Sequence, residues 1–150
     1  MRRSSQRRSR LGLVVLVPAS IVVVAAAVGW SRAQASPTRE PLVRVSERDF
    51  KITAPRSIPG GHVLLRVHNF GPDTHELIVA RLLQQRLPLR ADGLTVDEDT
   101  LRPQRPVFVE GMERGTGNQV SIDLTPGRYV LFCNMAGHYL AGMHVTVVVR

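Results

Sequence analysis

Three side chains that can hold a soft metal ion fall within eleven residues near the end of this 150-residue chain: the thiol of Cys133, the imidazole of His138 and the thioether of Met143. Cys133 is the only cysteine, so it has no partner for an intramolecular disulfide. By itself a lone cysteine reads as a small buried hydrophobe and a lone histidine as a surface group. The two arriving together with a methionine on one short segment read as metal ligation. A set of two imidazoles, one thiolate and a weak axial thioether suits copper in electron-transfer sites, because soft sulfur holds Cu(I) while imidazole accepts either oxidation state. The second imidazole has to come from upstream.

The flanking sequence predicts how such a set is positioned. Tyr129, Leu131 and Cys133 alternate along one face of a strand that follows the turn Pro126-Gly127, and Val145, Val147 and Val149 alternate along the next. The residues between them form a loop, with Gly137 and Gly142 giving permissive backbone beside His138 and Met143. Further strands are marked by Val43, Val45, Phe50 and Ile52, with an irregular step near Glu47 to Asp49, by Val63, Leu65 and Val67, by Glu76 to Arg81, and by Val120, Ile122 and Leu124. Leu82 to Asn118 is charged and poorly patterned. Leu82 to Leu89 allows one or two helical turns before Pro88 stops it, and a connection of this length in a compact domain is usually functional or mobile. Short alternating strands without long helices predict an all-β fold, an antiparallel sandwich.

Two segments carry a resemblance to a known family. Asn69-Phe-Gly-Pro-Asp-Thr-His75-Glu-Leu, followed by Tyr129-Val-Leu-Phe-Cys133-Asn-Met-Ala-Gly-His138-Tyr-Leu-Ala-Gly-Met143, resembles the ligand segments of the cupredoxins, the small blue (type 1) copper proteins. The similarity is greatest to members with four residues between Cys and His and four between His and Met, as in rusticyanin, auracyanin and sulfocyanin. It implies a Greek-key β-sandwich binding one type 1 copper, with His75, Cys133 and His138 as equatorial ligands and Met143 as the weak axial one. It also implies an electron carrier rather than an enzyme, with redox partners docking near His138 on an apolar patch of Met135, Ala136, Tyr139 and Leu140. In several cupredoxins an Asn or Ser follows the first histidine; here Glu76 does, free to tune the site, to face solvent or to act as a ligand.

Other functions are disfavoured by what the chain lacks. No His-x-His pair supports a multicopper enzyme, a binuclear copper site needs a second cysteine, and four methionines spread along the chain do not make a copper-delivery cluster. Copper binding or delivery without electron transfer stands as the alternative function. The formal charge of +8 does not indicate nucleic acid: residues 1–35 hold six arginines and no acid, which leaves 14 basic against 12 acidic groups elsewhere. Leu11 to Trp30 is an apolar run of twenty residues, and at about 1.5 Å per residue a helix of that length spans roughly 30 Å of hydrocarbon. Arginines before it place the following domain outside the cytoplasmic membrane. Residues 1–30 are therefore expected to be one hydrophobic helix acting as a signal or anchor, 31–41 a linker, and 42–150 the copper-binding domain, expected to be monomeric. Retention as an anchor is favoured by the length of the run; cleavage after Ala35 is the alternative, since Ala33-Gln-Ala35 has the form of a processing site.

Overall fold

The computed structural model describes residues 39–104 and 107–150, so the N-terminal segment expected to be a signal or anchor lies outside the described residues. Among those described, no helix is long and apolar enough to cross a membrane. Nine strands form two sheets: β1 (Leu42–Arg48), β2 (Lys51–Thr53), β3 (Ser57–Ile58), β4 (Gly61–Asn69), β5 (His75–Arg81), β6 (Val107–Met112), β7 (Gly117–Leu124), β8 (Gly127–Phe132) and β9 (His144–Val149). One sheet has the order β2-β1-β4-β7 and the other β3-β9-β8-β5-β6. The all-β sandwich expected from the alternating runs is what the chain forms.

The sandwich is not purely antiparallel. β1 pairs parallel with β4, Val43 opposite Leu65 and Val45 opposite Val67, and β3 pairs parallel with β9. Parallel neighbours need a crossover rather than a hairpin, and residues 49–60 supply it by visiting the other sheet at β3 before returning as β4. Phe50 is not a strand residue either. It sits in the two-residue turn between β1 and β2 with φ 58° and is 46 % exposed.

Alternation places Val43, Val45, Val63, Leu65, Val67, Leu77, Val79, Tyr129, Leu131, Val147 and Val149 between the sheets. β5 and β8 read as unbroken apolar runs because they are covered on both faces. Ile78, Ala80, Val130 and Phe132 point the other way and meet Leu87, Val96 and Leu101 from the segment after β5. That segment does not make a helix over Leu82 to Leu89. Leu89 bridges to Val96, and the one α-helix among the described residues, α1 (Glu98–Leu101), starts where Asp97 accepts a hydrogen bond from the Asp99 N–H at 3.2 Å, before a 3-10 turn at Arg102–Gln104.

β6 lies inside the stretch whose pattern was illegible. It pairs with β5 through a bulge: His75 faces Met112 and Leu77 faces Val109, so β6 spends one residue more than β5. Gly111, at φ 54°, takes the left-handed backbone that the bulge needs. The extra residue breaks the alternation that would have marked this strand, while Val109 and Met112 both stay buried.

Candidate metal centre

β8 carries the row Tyr129, Leu131 to its end, and the next side chain on that row is Cys133, fully buried. Its N–H donates to the Met143 carbonyl at 3.1 Å, and Phe132 pairs with His144, so the ligand loop is a closed hairpin connection. Inside it His138 N–H donates to Met135 O (2.9 Å), Ala141 N–H to Gly137 O (2.9 Å) and Met143 N–H to His138 O (3.0 Å). Gly137 and Gly142 have φ 81° and 99°, the left-handed backbone that an L side chain would resist. The loop is thus fixed by its own backbone, and it brings His138 Nδ1 to 3.4 Å from Cys133 Sγ.

His75 opens β5 and is fully buried. Its donor atom, Cys133 Sγ and that of His138 lie within 4.8 Å of one another. Nε2 of His75 is 3.2 Å from Asp49 Oδ1, whereas Nδ1 is buried with no hydrogen-bond partner. An imidazole with one nitrogen on a carboxylate and the other buried without a partner has the form of a metal ligand. Burial, only partly opposed by the Asp49 hydrogen bond, lowers its pKa, so the ring is neutral and Nδ1 keeps its lone pair. The fourth residue of the expected set, Met143, is fully buried in the same core cluster as Cys133.

The thiol of Cys133 is pushed up to about 11. Burial dominates, the backbone N–H groups of Glu76 and Met135 pull the other way, and the carboxylates of Glu76 and Glu47 add to the rise. A thiol so placed gives up its proton to a cation and to little else. The donor set therefore fits a soft ion: one potential thiolate, two imidazoles and a buried thioether.

Of the other histidines, His62 bonds Glu40 and Asp123 at the surface, His68 packs on Phe70 and His144 lies exposed against Tyr139, all away from the cluster. Glu76, the departure from the family pattern, lies outside the cluster and is half-buried: its Oε1 accepts the Asn134 N–H at 3.0 Å, tying β5 to the loop between β8 and β9.

Sequence reasoning missed three supports. Asn69 pins the turn into His75, its Nδ2 donating to Asp73 O (2.8 Å) and Met112 O (2.7 Å) and its Oδ1 accepting from Gly71 N–H (2.8 Å); the Asn-x-Gly-Pro pattern was the available signal. Asp49 gave none, lying 26 residues from His75. Asn134 exchanges two hydrogen bonds with the Val96 backbone (2.6 and 3.0 Å) and donates to Glu98 Oε1 (2.8 Å), while Gly137 N–H reaches Leu94 O (3.1 Å). The long connection after β5 is therefore a brace for the ligand loop. Asn134→Ala strips the Val96 backbone of both partners and should cost about 1–3 kcal/mol. Denaturant unfolding measures that loss, and faster hydrogen exchange at the Val96 amide should accompany it; unchanged exchange would mean that apolar packing alone holds the brace.

No family model and no curated protein matches the sequence. Solved structures do. Reduced auracyanin from Roseiflexus castenholzii superposes with TM-score 0.57 at 14 % identity, over 74 % of this chain and 98 % of that one. Auracyanin A, a "blue" copper protein from Chloroflexus aurantiacus, gives 0.56 at 14 % over 75 % and 100 %, and auracyanin B gives 0.54 at 22 % over 77 % and 91 %. At these identities the likeness establishes the fold.

Proposed function

We propose that this chain, a cupredoxin by fold, is a type 1 copper protein that carries single electrons outside the cytoplasmic membrane. The observation that carries the reading is the convergence of His75, Cys133 and His138 donor atoms within 4.8 Å, with a buried, partnerless Nδ1 on His75. These three are the proposed strong ligands and Met143 the weak axial one. Bound copper would supply a one-electron Cu(II)/Cu(I) couple.

The protein's part is to keep the donors still and dry. Cys133 is held at a strand end, His75 at the start of a second strand, and His138 and Met143 by the loop backbone. A frame bonded from both sheets and from the brace keeps nearly one geometry in both oxidation states, which keeps reorganisation small. His138 is the half-buried member of the set, and Met135 and Leu140 beside it are 38 % and 52 % exposed. That apolar rim supports docking of redox partners there. The N-terminal arginines and apolar run support export of the 42–150 domain, retained on an anchor or released after Ala35; the intact mass of protein from the membrane fraction separates the two.

Addition of Cu(II) to the metal-free protein should raise an intense visible band that saturates at one ion per chain, and voltammetry should then give a reversible one-electron wave. Met143→Leu should keep the colour and raise the potential, because an axial electron pair helps the more highly charged Cu(II) more than Cu(I) and the apolar leucine that replaces it disfavours the higher charge. Saturation without the band, or with no redox wave, would leave a metal-binding protein that is not an electron carrier.

A further inference from the structure

The turn between β1 and β2 holds a conformation that costs energy, and it spends that energy beside the metal centre. Phe50 is the one non-glycine residue with positive φ among those described, and a left-handed L-residue costs roughly 1–2 kcal/mol. Such strain persists where surrounding contacts fix it. Here the fixed geometry sets Asp49 on one imidazole and Phe50 on the other: Asp49 Oδ1 lies 3.2 Å from His75 Nε2, and the Phe50 ring meets the His138 ring edge-on with centroids 5.3 Å apart. Oδ1 of Asp49 also accepts the Asp73 N–H at 3.4 Å, which ties the turn to the segment leading into His75. The side chain of Asp49 is 27 % exposed, so its charge is only partly screened.

Gly71 keeps this approach open. A Cβ there would lie 2.9 Å from His75 Nε2 and 2.9 Å from the Asp49 backbone nitrogen, and it would press directly on Asp49 Oδ1. Three separate features, a strained turn, a carboxylate on a buried ring nitrogen and a glycine where no side chain fits, serve one hydrogen bond.

We propose that Asp49 is a positioning residue for the metal centre, whose carboxylate fixes His75 as the Nε2–H tautomer, aims the Nδ1 lone pair at Cys133 and makes the ring a stronger donor toward the more highly charged oxidation state. A carboxylate accepting from the outer nitrogen of a ligand histidine fixes the tautomer and raises the basicity of the inner nitrogen. The part of this concerning oxidation states rests on the copper reading above, whereas the part concerning the tautomer does not.

The experiment has a metal-free arm and a loaded arm. In the metal-free protein, nitrogen-15 spectra should show His75 as a single Nε2–H tautomer with a slowly exchanging ring proton. Asp49→Ala should speed that exchange by tenfold or more and mix the tautomers. Gly71→Ala, which leaves Asp49 in the chain but pushes it away, should do the same, while Asp49→Asn, which keeps an acceptor, should restore the single tautomer. In the copper-loaded protein Asp49→Asn should raise the potential by more than neutralising the exposed Asp123 does in Asp123→Asn. Unchanged His75 exchange in both Asp49→Ala and Gly71→Ala would overturn the positioning role. A shift in Asp49→Asn no larger than in Asp123→Asn would overturn its electronic part. Failure to bind copper would strike the functional proposal while the metal-free arm still decided this one.

Discussion

Replacing Cys133 with serine should bleach the copper-loaded protein, the visible band falling by more than tenfold. The colour of such a site comes from the bond between a thiolate and Cu(II), and no other thiol exists in the chain to replace it. Serine is a sparing probe. Its hydroxyl is close to the thiol in volume and can accept the same backbone N–H groups of Glu76 and Met135 that surround the sulfur. The β8–β9 hairpin, whose bonds are backbone to backbone, should stay intact, and far-ultraviolet circular dichroism should match the parent. His75 and His138 remain in the variant, so residual Cu(II) binding is expected, but pale and far weaker for Cu(I), which loses its soft ligand. A variant that kept the intense band would remove Cys133 from the site.

The second large effect concerns stability and a residue that no ligand scheme uses. Glu47 lies on the inward face of β1 with both carboxyl oxygens buried and without a hydrogen-bond partner. Burial first, and the nearby Glu76 carboxylate second, raise its pKa from 4.5 to about 8. The carboxyl is therefore protonated in the folded protein at neutral pH and ionised in the unfolded chain. A group whose folded pKa is raised gives its full share of stability below the unfolded value and loses it as pH climbs to the folded one. The window here runs from about 4.5 to about 8. Across it the metal-free protein should lose on the order of 5 kcal/mol through this group. Glu47→Gln, with no proton to lose, should flatten that slope and be the more stable form at pH 9.

His75 works in the opposite direction below its ordinary value of 6.5, because its lowered pKa makes folding more favourable as pH rises toward that value. Cys133 adds a loss only above pH 9, the ordinary value for its thiol. The comparison that isolates Glu47 is thus the difference between parent and Glu47→Gln, followed by urea unfolding from pH 5 to 9. Parallel curves would show that Glu47 does not change its proton affinity on folding.

Much of the site is written in the chain itself because its donors are neighbours in sequence. Cys133, His138 and Met143 sit on one hairpin loop, so the two flanking runs of alternating apolar residues already mark where the Cys133 and His138 side chains come together. Period-two alternation is a local property, and it correctly assigns Val63, Leu65 and Val67, or Tyr129 and Leu131, to the space between the sheets. His75 is legible through the pattern of the turn before it. What alternation cannot carry is pairing across distance. That β1 runs parallel to β4, that β6 bulges against β5, and that Asn134 grips Val96 38 residues away depend on which backbone groups meet after the chain has crossed between sheets.

Charge shows the same division. In sequence Glu47, Arg48 and Asp49 are one polar step that interrupts a strand. In the folded molecule Arg48 faces water, Glu47 loses it altogether, and Asp49 is turned onto a buried imidazole by a backbone that only tertiary contacts hold in place. The candidate donor types, their order along the chain and the two-layer β-fold that presents them are legible before folding is considered, because they follow from residue chemistry and local periodicity. Which carboxyl is stripped of water and which one meets His75 emerges on folding alone, because desolvation and hydrogen bonding belong to whatever packs against a side chain, and nothing near it in the chain specifies that.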